Sequence, residues 1–176
     1  MNLKTNNIKN INIGIIIIVV FIWMPYKVFA QNGETIVSTI NIHVNVLNKI
    51  NVKGAKNIQL VVRADSSSKI EIDPKRDPGA GRFEAEGTGL APIKISFPVL
   101  LDLKEVNGDH IIHFHTLVSS YTEQNQGNSQ LLDKNSASLK FNSSGQRFFW
   151  IGGSAKINDA PGGKYVGTMS FNMEYD

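Results

Sequence analysis

From residue 35 onward, apolar and polar positions alternate. Across residues 35–48 the even positions read Ile36, Ser38, Ile40, Ile42, Val44 and Val46, and the odd ones are mostly polar: Thr35, Thr39, Asn41, His43 and Asn45. A period of two puts one set on an apolar face and the other in water, so the spacing predicts a half-buried β-strand. The far end of the chain repeats the pattern. Tyr165, Gly167, Met169, Phe171, Met173 and Tyr175 share one face, while Thr168, Ser170, Asn172 and Glu174 share the other.

Shorter strands are predicted between these two, at 58–63, 69–73, 92–97, 99–104, 110–119, 137–141 and 146–157. Turn chemistry separates them. Asn107-Gly108 between two apolar runs signals a hairpin. The stretch 73–81, Ser143-Ser144-Gly145 and 159–163 combine Asp, Pro, Ser and Gly as turns require. Residues 121–135, rich in Gln, Asn and Ser, read as a long polar loop, and no stretch of ten residues carries a helical period. About eight or nine short strands in one chain predict an all-β domain, an immunoglobulin-like β-sandwich. A jelly roll or a barrel is the alternative.

The first thirty residues follow a different rule. Lys4 and Lys9 precede an apolar run at 11–24, Pro25 breaks it, and Val28-Phe29-Ala30 offers a signal-peptidase site. A membrane span needs about 20 apolar residues, more than this run holds. Residues 1–30 are therefore expected to be a cleaved signal peptide, and 31–176 a single exported domain. That changes the charge picture. Lys4, Lys9 and Lys27 account for the net charge of +3, and residues 31–176 carry fifteen basic and fifteen acidic side chains. A neutral domain without a basic cluster argues against nucleic acid as a partner, and no membrane span is expected once the signal is gone. With no cysteine, thiol catalysis and thiolate metal sites are excluded, and the fold must rest on burial alone.

Candidate chemistry is sparse. His113 and His115 share a strand face, but His110 has the opposite parity and no third ligand stands out, so half-buried or surface histidines are the simpler reading. Asp65, Glu71, Asp73 and Asp77 offer the oxygens calcium favours, but Lys69, Lys75 and Arg76 interleave with them and no ordered ligand loop is present, so a solvated mixed-charge surface is the simpler reading. Glu84 and Glu86 alternate with Phe83 and Ala85 on one short strand, an arrangement unlike a glycosidase pair. There is no G-x-S-x-G and no phosphate-binding glycine loop. No cofactor, metal or catalytic group is expected, and the chain reads as a non-enzyme. Asn142-Ser143-Ser144 matches a glycosylation sequon. Among Phe148, Phe149 and Trp150, neighbours must face opposite sides of a strand. Core packing is the economical reading for this trio. Trp150 as a ligand platform is the functional one.

The C-terminal third has a familiar order: 145–153 (Gly-Gln-Arg-Phe-Phe-Trp-Ile-Gly-Gly), Ala155-Lys156-Ile157, 160–168 (Ala-Pro-Gly-Gly-Lys-Tyr-Val-Gly-Thr), then 171–175 (Phe-Asn-Met-Glu-Tyr). Residues 70–74 and 79–81 fit the same scheme. The pattern resembles family 4402 of exported bacterial domains of unknown function, itself similar to spore coat protein U and the archaic chaperone–usher pilins. The resemblance implies an exported structural or adhesive subunit, in the periplasm or at the cell surface, assembled into a pilus or polymer by donor-strand exchange. Its partners would be other copies of itself or related subunits, and a periplasmic chaperone. In that reading Ile36, Ile40, Ile42, Val44 and Val46 are donor-strand knobs, and Tyr165, Met169, Phe171 and Met173 belong to the closing strand. The cysteines common in those relatives are absent here. A monomeric secreted module that binds a glycan or protein is the alternative.

Overall fold

The computed structural model describes residues 35–46, 49–63, 69–133 and 135–176. The expected signal segment lies outside them, as does Asp65. Twelve strands are present among the described residues: Thr35–Val46 (β1), Asn51–Lys56 (β2), Ile58–Arg63 (β3), Lys69–Ile72 (β4), Gly81–Glu86 (β5), Pro92–Ser96 (β6), Leu100–Glu105 (β7), Ile111–Tyr121 (β8), Gln130–Leu131 (β9), Ser136–Lys140 (β10), Gln146–Lys156 (β11) and Gly163–Tyr175 (β12). A single 3-10 turn at Gln126–Asn128 is the one described helical element.

Hydrogen bonding arranges the strands in two groups. One runs β3–β1–β12–β6–β10 and the other β7–β8–β11–β5–β2, with β4 beside β11 and β9 beside β8. They are linked where Tyr165 and Val166 of β12 pair with Glu105 and Lys104 of β7. Every pairing is antiparallel except β1 with β12, which run parallel from Ile36 opposite Gly163 to Val46 opposite Met173.

Packing shows that the groups are the two layers of a sandwich. From β12 to β5 the hydrogen-bonded path takes four steps through β7, β8 and β11, or about 19 Å if the sheet were flat at about 4.8 Å per strand. Yet the Phe83 and Phe171 rings, one from each of those strands, meet edge-on with centroids 5.1 Å apart. A β-carbon on Gly81 of β5 would likewise come within 2.6 Å of Ile42 Cδ1 and 2.8 Å of Ile58 Cγ1 in the other layer. Phe83 also stacks on Phe149 at 4.7 Å, and Ile36, Ile40, Ile58, Leu103, Phe114 and Tyr165 complete a core closed to solvent. Arg147 ties the layers at one end, donating from Nε to Ser120 Oγ at 2.8 Å and from Nη1 to the Lys140 carbonyl at 2.6 Å. Burial pushes its guanidinium pKa below the ordinary value. Among the described residues β2, β3 and β10 each keep an unpaired edge, so the sheet is not a closed barrel.

Twelve strands exceed the eight or nine expected, for local reasons. β2 has no alternation to read, because five of its six residues are exposed. A register shift lies between Lys53 and Lys56, and Gly54 sits at φ +61°. The polar stretch 121–135 contributes the end of β8, the 3-10 turn and the two-residue β9. The β7–β8 hairpin forms where Asn107-Gly108 predicts it, but through a longer loop. Glu105 N–H donates to the His110 carbonyl, and the Glu105 carboxylate lies where a β-carbon on Gly108 would be.

Candidate functional site

The segment expected to act as a donor strand is built into its own domain. β1 lies between β3, which pairs residues 35–40, and β12, which pairs residues 36–46. The two predicted sets of residues meet in register. Ile36 faces Gly163, Ile40 faces Gly167, Ile42 faces Met169, Val44 faces Phe171 and Val46 faces Met173. Tyr165, Met169, Phe171 and Met173 are all buried.

The knobs are graded along the strand. Ile36 and Ile40 are fully buried, Ile42 and Val44 are half-buried, and Val46 is 38% exposed. The grading follows the pairing, because the β3 ladder ends where Ile40 meets Ile58. There the Ile42 N–H donates to Asn57 Oδ1 at 3.1 Å instead of to a strand, and Asn57 Nδ2 donates to Asn41 Oδ1 at 3.2 Å. The second half of β1 thus has a strand neighbour on one edge only, among the described residues.

Ser38 breaks the apolar row. It is fully buried opposite Tyr165, and its hydroxyl has no hydrogen-bond partner among the described residues. A buried, unpaired hydroxyl costs about 1–3 kcal/mol. Tyr165 by contrast donates to the Pro161 carbonyl at 3.0 Å. Burial raises its phenol pKa, and the Glu105 carboxylate adds to the shift.

The aromatic trio splits by parity. Phe149 enters the core, fully buried, while Phe148 and Trp150 share the opposite face, with ring centroids 6.4 Å apart and planes tilted by 31°. That face is not open to solvent throughout. Gln126 Nε2 donates to the Pro74 and Asp77 carbonyls at 3.0 and 2.9 Å, and Ser129 Oγ to Ser119 Oγ at 2.9 Å. The loops at 73–80 and 122–129 are thereby pinned over the sheet. A β-carbon on Gly152 would come within 2.2 Å of the Ile72 carbonyl oxygen, so only glycine fits beneath them. Trp150 is 5% exposed, which makes it a packed residue whose accessible edge lines a small cavity with Phe148, Lys53, Arg82, Glu84 and Gln124. Parity alone could not reveal this cavity, because Lys53, Arg82 and Gln124 come from three separate segments.

The titratable groups are mostly engaged with their neighbours. His113 Nδ1 lies 2.8 Å from Asp102 Oδ1, His115 is exposed on the same face, and His110 instead sits against the edge of Tyr165 at 6.1 Å. Asp73 accepts from Lys75 N–H at 2.8 Å and Asp77 from Gly79 N–H at 2.7 Å, while Glu71 pairs with Lys69 at 2.8 Å. Glu86 pairs with Lys53 at 2.6 Å and holds its ammonium pKa above the ordinary value. Glu84 accepts from Gln146 Nε2 at 2.9 Å. No three His, Asp or Glu side chains converge as metal ligands among the described residues. The Asn142 side chain of the sequon caps its own turn, accepting from Gln146 N–H at 2.7 Å and donating to the Thr122 carbonyl at 2.9 Å. No family model matches the chain, and none of the curated proteins searched matches it.

Proposed function

We propose that the chain is an exported, non-enzymatic structural or adhesive subunit in which β1 can be supplied by another copy. The observation that supports this is the seat of β1. One unbroken parallel ladder to β12 carries it, Ile36 and Ile40 drop into the core, and Ile42 and Val44 pack against it. The same ladder and pockets would be filled equally well by β1 of a second molecule, which is strand addition in its general form. One feature supports exchange: residues 41–46 have a strand neighbour on one edge only among the described residues, which leaves fewer bonds to break when β1 leaves its seat. Related subunits would use the same seat, and a periplasmic chaperone would fill it before assembly. The leader pattern in residues 1–30 supports export to the periplasm or cell surface.

The test uses the absence of native cysteine. His43 and Ser170 are exposed register partners on β1 and β12. Oxidising a His43→Cys, Ser170→Cys double variant should give a ladder of covalent multimers on a denaturing gel. Intrachain disulfides alone, at every protein concentration, would contradict the proposal.

A further inference from the structure

The cavity on the outer face of β11 has the chemistry of a ligand subsite, and it does not depend on strand exchange. It encloses about 80 Å³, room for roughly five water-sized groups at about 15 Å³ of probe volume each. Register explains how it forms. Phe148 lies opposite Glu84, Trp150 opposite Arg82, and Lys53 of β2 opposite Glu84. Beyond Lys53 the register of β2 shifts, and a β-carbon on Gly54 would meet nothing within 4 Å. The bulge therefore leaves an opening at the mouth of the cavity instead of serving a close contact.

The charges around this opening are unequal in availability. Lys53 is paired with Glu86, and one oxygen of Glu84 is held by Gln146. The Arg82 side chain is exposed and makes no hydrogen bond or ion pair among the described residues. Its planar fork of donors matches a carboxylate in two-point contact. Below it, the paired rings of Phe148 and Trp150 offer an apolar surface of the kind that stacks on the C–H face of a sugar ring. Glu84 sharpens the choice of ligand. Its carboxylate accepts hydroxyl hydrogens but repels a compact multiply charged anion, and so disfavours phosphate.

From this geometry we infer a subsite for a sugar unit bearing a carboxylate, a uronate at a chain end or branch of an acidic glycan. Arg82 takes the carboxylate, the half-buried Phe148 takes the ring face, and Glu84 and Gln124 take ring hydroxyls. The small volume places the carboxylate edge of the ring inside and leaves the rest of the glycan in solvent.

Trp23 and Trp150 are the two tryptophans of the sequence, so the full chain carrying Trp23→Phe reports on Trp150 alone. Titrating it with a tri-uronate should shift the indole emission saturably. A neutral trisaccharide of the same length should bind at least tenfold more weakly, and equimolar inorganic phosphate should not displace the uronate. Arg82→Gln should weaken uronate binding at least tenfold with an unchanged melting temperature. Phe148→Ala should do the same if it folds. If it does not, chemical-shift changes in the unsubstituted chain should centre on residues 82–84 and 148–150. Equal affinity for the neutral sugar, displacement by phosphate, an unaffected Arg82→Gln variant, shifts centred elsewhere or no saturable signal would each overturn the inference.

Discussion

β11 and β12 are the two long strands of the C-terminal third, one in each layer, and they obey the alternation rule to different degrees. Along β12 the rule is nearly unbroken: Tyr165, Gly167, Met169, Phe171 and Met173 are buried, and Thr168, Ser170, Asn172 and Glu174 are exposed. Along β11 five consecutive residues, 149–153, are buried whatever their parity. The cause is a third layer. Loops at 73–80 and 122–129 lie over the outer face of β11, held by Gln126, Ser119 and Ser129, while no described loop hydrogen-bonds over the outer side chains of β12. Alternation reports burial only when one face of a sheet meets water. Where a loop covers that face, the outward parity becomes a second interior.

The largest expected effect comes at Gly152. Ala there would press on the Ile72 carbonyl and the Pro74 nitrogen, both backbone, and should cost about 4 kcal/mol or more in urea unfolding, at the exceptional end for one substitution. The matched change on the open face, Ser170→Ala, should stay within about 0.5 kcal/mol. Equal effects at the two sites would break the comparison. Trp150→Ala follows at about 3–5 kcal/mol, the cost of removing a buried aromatic. A loss below about 1 kcal/mol would mean that the loops do not cover it in solution.

A smaller change of opposite sign is expected at Ser38, the polar exception beside β12. Ser38→Ala removes an unpaired buried hydroxyl and should raise stability by about 1 kcal/mol. Destabilisation would show that the hydroxyl has a partner in solution. The smallest effect concerns pH. The unfolded Tyr165 phenol ionises near pH 10, whereas the folded one holds its proton to higher pH because it is buried, with Glu105 adding. The unfolded chain therefore binds fewer protons above about pH 10. Stability is full below that pH and falls as pH rises towards the folded value. Tyr165→Phe should flatten that slope in a series of urea melts at increasing pH, and an unchanged slope would count against it.

The same contrast explains what could be read from residues alone. β1 and β12 were legible as strands because each has one wet face. The split of Phe148 and Trp150 from Phe149 also follows from parity. β2 was not legible, because Asn51-Val52-Lys53-Gly54-Ala55-Lys56 is a bulged, exposed edge with little to bury. Nor was the role of Gln126, since its carboxamide reaches carbonyls about fifty residues away. The cavity beside Phe148 depends on such distant meetings, which no local pattern encodes. The partners of β1 were open for a different reason: a strand with one apolar face suits its own sandwich and a neighbour's equally well.

The most direct test of the assembly role is the mass in solution of residues 31–176, by light scattering after size exclusion, with and without residues 31–48. Strand exchange predicts multiples of one copy for the longer chain. It also predicts a single-copy truncated form that takes up a synthetic peptide of residues 35–46. A longer chain that stays single at every concentration, with a truncated form that unfolds and ignores the peptide, would place β1 permanently in its own sandwich and contradict the account.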